Sequence, residues 1–368
     1  MKSRTAMLAA VLATALSGAA MADTYRYNTY AAPTDPTVVE GVFPFVEKLK
    51  ELTNGEVSFE VFTGGQLAKA TEILGAIRDG VIDAGFVYEP YHPNLLPSQA
   101  LLGEMIAYHQ NPLATAAAMM ETILLDCENC RKEFDASNAM VISGHAVSTQ
   151  YFVCRMPINT VEEMKGLRIR SPQPFTAAVT NALGATVVNL PFTEMVAAME
   201  RGTIDCINAG IYLVKTLGLQ DIAKSVITAL PLGSTTGSAA ITISKDVWSR
   251  FSDEQKRSVL RAAADYAAKA SVATARRSAE DLQELKDKIG FEQSSPDGFK
   301  AVWGDFLETE RERILKAGAE IGTPEPEKLV DTYLANYAEW EKLVADIGFD
   351  SDRLAELLWE RVYSKVKF

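Results

Sequence analysis

Two arginines, Arg168 and Arg170, stand in a short β-prone run, Leu167-Arg168-Ile169-Arg170, that Ser171-Pro172 cuts off. Residues two apart on a strand share a face, so both guanidinium groups point one way and Ile169 the other. A planar guanidinium meets a carboxylate through two parallel hydrogen bonds. The chemistry expected of Arg170 is therefore anion binding, and Arg168 is expected to be solvated. Other reactive residue types offer less. The three histidines, His92, His109 and His145, lack paired ligand spacing, so no zinc site is expected. The chain has no G-x-S-x-G elbow, no H-E-x-x-H and no glycine-rich phosphate loop. Neither an enzyme nor a cofactor or metal site is expected. Cys127-Glu128-Asn129-Cys130 could be a redox motif, half a zinc site or part of a disulfide. In an exported chain a structural disulfide is the expected fate. Cys127 or Cys130 with Cys154 is a reasonable pairing, with Cys206 the fourth cysteine; the sequence leaves the choice open.

Export itself is read from the first residues. Lys2 and Arg4 precede an apolar core, Ala6 to Leu16, and Ala20-Met21-Ala22 forms an A-x-A cleavage site, so residues 1–22 read as a signal peptide. No later segment is apolar for the ~20 residues a membrane-spanning helix needs. The net charge is −12, and loss of Lys2 and Arg4 makes it more negative by two. An acidic surface argues against nucleic acid or anionic membrane as partners. It also means that an anionic ligand has to be drawn in by a local basic feature, which returns attention to Arg170.

The elements that position Arg170 are α/β in pattern. Strands are expected at Thr24–Thr29, Val57–Phe62, Ala139–Ser143, Gln150–Cys154, Thr186–Val188 and Ala239–Ser244, with an amphipathic helix over 38–53. Residues 71–86, TEILGAIRDGVIDAGF, repeat ungapped as TEMVAAMERGTIDCIN at 193–208. Thr71/Thr193, Glu72/Glu194, Ala76/Ala198, Gly80/Gly202, Ile82/Ile204 and Asp83/Asp205 are identical. Each copy is a helix ending on a C′ glycine, followed at once by a strand. Two similar lobes follow, each presenting the residues after its aspartate at the carboxyl end of a strand, where ligands of open α/β sheets bind. After Asp83 come Phe86, Tyr88, Tyr91 and His92, and after Asp205 come Asn208, Gly210 and Tyr212. Residues 113–134 read as one helix carrying the C-x-x-C. Ser252 with Gln255 caps a helix from Asp253 to Lys288, about 54 Å long at 1.5 Å per residue and long enough to run along both lobes. Helices at 297–318 and 324–368 complete the chain, with Thr323-Pro324 as N-cap and N1 and Gly348 as a stop. The expected division is lobe I at 23–146 plus about 234–268, and lobe II at 147–233 plus about 269–368.

KGLRIRSP, ALGATVVNLPFTEM, AAMERGTIDC and TGGQLAKATEILGAIRDGVIDAGFV resemble the solute-binding proteins of TRAP transporters, the periplasmic receptors of the C4-dicarboxylate-receptor (DctP) type. The resemblance runs from about Tyr25 to Lys288, and the segment from roughly 320 to 368 looks like an extension. It implies a two-lobed, periplasmic-binding-protein-like (type II) fold with a long helix bracing both lobes. It also implies a periplasmic location, an organic-acid ligand and delivery to a TRAP membrane permease, with the receptor acting as a monomer. A receptor for another importer or a sensor of similar architecture is the alternative. By the resemblance, Arg170 pairs with the ligand carboxylate, Phe192 lies against the ligand with Asn189 beside it, and Asn208 is a polar contact. Thr149 or Gln150 stands where sialic-acid-binding relatives carry a second arginine, and Tyr88 and Tyr91 stand where they carry charged groups. A monocarboxylate, aromatic ones included, is thus expected rather than a hydroxylated sugar acid.

Overall fold

The computed structural model describes residues 23–368; the expected signal peptide lies outside them. Among the described residues nine strands form one sheet: β1 Asp23–Asn28, β2 Val57–Phe62, β3 Ala84–Val87, β4 Ala139–Cys154, β5 Arg168–Arg170, β6 Thr186–Val188, β7 Cys206–Gly210, β8 Ser225–Val226 and β9 Gly233–Ser244. Their order is β2-β1-β3-β9-β4-β7-β5-β6, with β8 pairing β4. At one end β1 runs parallel to β2 and β3, and at the other β5 runs parallel to β6 and β7. Between these two parallel sets lie β4 and β9, which pair antiparallel and belong to both lobes.

The repeat holds in atomic detail. Gly80 and Gly202 end their helices at φ +70° and +69°, a backbone conformation that costs glycine little. Asp83 accepts from the backbone N–H of Arg26 at 2.8 Å and from its Nε at 3.0 Å. Asp205 accepts from Arg168 in the same way, at 2.9 Å from each. The guanidinium of each arginine also caps the glycine carbonyl of its own repeat, Gly80 or Gly202. Arg168 is thus a brace clamped to Asp205, although its side chain stays 44% exposed, as expected of a solvated arginine. The strand start on which it sits lies beside the turn it ties down.

Several expected boundaries move. The strands foreseen at 139–143 and 150–154 are one strand, β4, whose pairing with β9 shifts register between Val141 and Ser143, Ser143 and His145, and Ala146 and Thr149. These irregularities bend the strand where it passes from one lobe to the other. Gly144 permits the crossing, since a Cβ there would stand 2.5 Å from the carbonyl oxygen of Gly237. The polar segment before Ala239 belongs to β9, which begins at Gly233. The helix expected over 113–134 divides into Pro112–Glu121, a π-turn Thr122–Asp126, and Glu128–Asp135. The cysteines pair Cys127–Cys130 and Cys154–Cys206, so neither member of the C-x-x-C reaches Cys154. Cys154 and Cys206 sit opposite each other on the antiparallel neighbours β4 and β7, a pairing that strand register imposes.

The long helix is a single element, Asp253–Lys286, opened by the expected Ser252/Gln255 capping box. Its first turns bury Val259, Leu260, Ala263 and Tyr266 in the core of lobe I, and Leu285 near its end enters the core of lobe II. Among the C-terminal helices, Pro296–Glu320 puts Phe299 into lobe II beside Phe175. Pro326–Leu343 and Ser351–Arg361 do not belong to lobe II as expected. Their apolar stripes, including Tyr333, Trp340, Leu354 and Leu358, are buried in the core of lobe I. The N1 proline is Pro326 rather than Pro324, after Glu325 at positive φ. Among the described residues no helix is long and apolar enough to cross a membrane.

Candidate functional site

Between the lobes lies a cavity of about 100 Å³, and its walls come from the carboxyl ends of the parallel strands of both repeats. Lobe I supplies Tyr30 and Asp35 from the loop after β1, and Phe86, Tyr88 and Tyr91 at and beyond the end of β3. Lobe II supplies Arg170 and Gln173 around the end of β5, Phe192 beyond β6, and Asn208 and Tyr212 at and after β7. The shared strands contribute His145 and Gln150 from β4 and Thr235 to Gly237 from β9.

Arg170 is the last residue of β5 and is only 4% exposed. Its Nε donates to the carbonyl of Leu190 at 3.1 Å and its Nη1 to Oδ1 of Asn208 at 3.4 Å. Its Cζ lies 6.0 Å from the ring centroid of Phe192, within cation–π reach. Burial pulls its pKa below the ordinary arginine value, and Tyr91, Tyr88 and Tyr30 oppose that shift. Among the described residues it forms no ion pair, whereas Arg168, two residues earlier, holds Asp205. A buried cation without a counter-ion is costly. Here it faces a cavity through its unused N–H groups.

The opposite wall is aromatic. Tyr30 packs on Phe86 with centroids 4.8 Å apart, and Tyr88 meets Tyr91 edge-on at 5.0 Å. The two walls touch: Tyr30 and Phe192 are 6.4 Å apart centroid to centroid, and the backbone N–H of Phe192 donates to Oη of Tyr91 at 3.4 Å. The structure is therefore a closed one, with lobe I and lobe II in contact across the cleft. His145 hydrogen-bonds Tyr266 at 2.8 Å through Nδ1, and burial depresses its pKa to about 4, so at neutral pH it is an uncharged part of the wall. Glu89, between Tyr88 and Tyr91 in sequence, is turned inward and is 2% exposed. Burial pushes its pKa up to about 8, opposed by the backbone N–H groups of Glu89, Ser238 and Ala239 near its carboxylate.

Of the residues singled out from sequence, Arg170, Phe192, Asn208, Tyr88, Tyr91 and Gln150 line this one cavity. Asn189 is exposed and does not line it. Thr149 points to the other side of β4, into a separate cavity of about 450 Å³ beside the long helix. Sequence reasoning passed over Tyr30, Asp35, His145 and Gln173. The sequence repeat does not reach the first two, because its offset of 122 residues differs from the 142 between Arg26 and Arg168. The shared bracing of Asp83 and Asp205 makes Arg26 and Arg168 structural counterparts, which sets Asn28 opposite Arg170 and the loop after β1 opposite the ligand side of β5. In lobe I that position is structural: Asn28 is fully buried and ties the backbone of Leu67 and Ala68.

Comparison with known proteins places this geometry. The family described as bacterial extracellular solute-binding protein, family 7 (DctP), matches residues 27–342. The match therefore continues past Lys288 through nearly all of the helix Pro326–Leu343. A solute-binding protein of Roseobacter denitrificans is 24% identical over 60% of this chain and 66% of its own length. A monocarboxylate 2-oxoacid-binding periplasmic protein of Nostoc is 26% identical over 50% of each chain. The chain thus spans from half to just under two thirds of these curated relatives. Among solved structures, a TRAP periplasmic solute-binding protein from Bordetella bronchiseptica with bound (R)- and (S)-mandelate has a TM-score of 0.73 at 19% identity, covering 87% of this chain and 99% of that one. A TRAP periplasmic solute-binding protein from Roseobacter denitrificans with bound L-galactonate has a TM-score of 0.66 at 21% identity, covering 83% and 98%. These likenesses establish the two-lobed α/β fold.

Proposed function

The chain belongs to the bacterial extracellular solute-binding proteins of family 7, the TRAP-type receptors, and from that membership we propose that it captures a small monocarboxylate between its lobes. The observation that carries this reading is Arg170: buried, without an acidic partner among the described residues, and directed at a cavity with an aromatic far wall. The carboxylate docks on the guanidinium, with Asn208 and Gln150 alongside and Phe192, Tyr88 and Tyr91 enclosing the organic part. Lobe closure then expels water, and each charge-assisted hydrogen bond strengthens in the lower dielectric. The monocarboxylates named for the Nostoc and Bordetella relatives fit one anion receptor and a small, ring-lined cavity. The protein is exported by its signal peptide, acts in the periplasm as a monomeric receptor rather than an enzyme, and hands its ligand to a TRAP membrane permease.

The test is mass spectrometry of small molecules released from the purified mature protein, followed by a thermal-shift screen of organic acids. A carboxylic acid that raises Tm and binds in calorimetry is expected. Recovery of an uncharged or cationic ligand, or turnover of the bound compound, would refute the proposal.

A further inference from the structure

Two charged side chains line the cavity, and they do not touch each other. Arg170 is one. Asp35, from the loop after β1, is the other, and no ion pair within 4 Å joins it to any cation among the described residues. Asp35 is 7% exposed. Its Oδ1 is committed, accepting from the backbone N–H of Thr37 at 2.8 Å and from Oγ1 of Thr37 at 2.6 Å. Its Oδ2 takes no hydrogen bond among the described residues and keeps some accessible surface, which opens on the cavity. A carboxylate this buried, with one oxygen open to the cavity, offers an acceptor position that water fills in the free protein and a donor on a ligand can take over. The surrounding groups do not supply that donor: the negative charge of Asp35 helps to raise the pKa values of Tyr30, Tyr212 and Tyr266, but none of the three hydrogen-bonds it.

We propose that Asp35 is a second ligand-recognition residue, accepting a hydrogen bond from a hydroxyl or amino group carried by the same small acid whose carboxylate rests on Arg170. The inference rests on the carboxylate reading of Arg170 and narrows it, from any small monocarboxylate to one bearing a hydrogen-bond donor. The two charges belong to different lobes, so such a ligand bridges them and its two polar ends both favour closure. A donor-less acid leaves Oδ2 facing apolar surface in the closed form, and a site built around a donor rejects the analogue lacking it.

Calorimetry on the mature protein with matched acids tests this, using lactate, alanine and propionate, and the phenyl-substituted set 3-phenyllactate, phenylalanine and 3-phenylpropionate. Within at least one set the hydroxy or amino acid is expected to bind about tenfold to a hundredfold more tightly than the donor-less acid. In Asp35→Ala that preference should vanish while the affinity for the donor-less acid stays within about threefold of wild type. Asp35→Asn keeps the turn to Thr37 through its amide oxygen and presents an N–H₂ group to the cavity. It should reject the amino acid, a pure donor, but tolerate the hydroxy acid, which can also accept; this arm identifies which donor the site takes. Wild-type preference persisting in both Asp35 variants, or no preference in the wild type, overturns the inference. Arg170→Met separates the two readings. Loss of all binding in Arg170→Met with preference unchanged in the Asp35 variants sinks only the role of Asp35. Undiminished binding in Arg170→Met sinks the carboxylate reading beneath it.

Discussion

Replacing Arg170 by methionine separates a ligand receptor from a structural cation. In the closed protein the guanidinium is almost entirely out of water, and its protein partners are neutral acceptors, the carbonyl of Leu190 and Oδ1 of Asn208. With a carboxylate bound, it becomes one half of a desolvated ion pair, and removing one member of such a pair costs about 3–5 kcal/mol. Affinity should therefore fall by roughly a hundredfold to a few thousandfold. Without ligand the sign is different. Methionine fills similar volume and relieves the burial of an unpaired charge, which offsets the two lost hydrogen bonds, so stability should change by no more than about 1 kcal/mol. The expected apo Tm shift is then within about 2–4 °C. The assays are calorimetric titration with an acid that stabilises the wild type, and thermal denaturation of both forms without ligand. Arg170→Lys should also bind poorly, because an ammonium cannot make the parallel pair of bonds. An Arg170→Met protein that binds within threefold of wild type refutes the reasoning. So does one whose apo Tm collapses, since the arginine would then be holding the fold.

Three further perturbations probe the closed form and its supports. Tyr91→Phe removes the hydroxyl that accepts from Phe192 across the cleft and should weaken ligand binding by about threefold to tenfold with little change in apo Tm; an unchanged Kd would mean that the contact contributes nothing to closure. Removing the Cys154–Cys206 disulfide, whose cysteines lie 52 residues apart, should cost about 4 kcal/mol. Removing Cys127–Cys130, three apart, should cost about half as much on the same loop-entropy argument, and equal Tm losses in the paired alanine variants would contradict it. Glu89 has its pKa raised to about 8 in the fold, above the ordinary unfolded value. Its contribution is therefore fully present below about pH 4.5 and is lost as pH rises towards 8, at about 1.4 kcal/mol per pH unit across that window. Glu89→Gln should flatten the fall in Tm between pH 5 and pH 8, and a parallel decline in both proteins would show that Glu89 is not its source.

The sequence by itself determined what depends on neighbours along the chain. The two helix-glycine-strand units, the Ser252 cap and the single long helix are set by local periodicity, by glycine's access to positive φ and by short-range hydrogen bonds, and all three stand in the structure. The type of chemistry at the site was legible as well, because a guanidinium in an acidic chain has few uses at the end of a β-strand. That Arg168 would brace Asp205 was not. Arg168 and Arg170 share a face, yet one sits beside the turn that Asp205 closes and the other opens on the cleft; only the packing of β5 against β7 distinguishes them. Tertiary structure likewise decided that β4 is continuous, because its pairing partner β9 crosses both lobes. Strand register decided that Cys154 meets Cys206, and the apolar stripes of the last helices fit lobe I rather than lobe II. Asp35 and Arg170 illustrate the limit most sharply. Nothing local relates a loop aspartate to an arginine 135 positions later; they share a cavity only because the two repeats fold into lobes that close face to face.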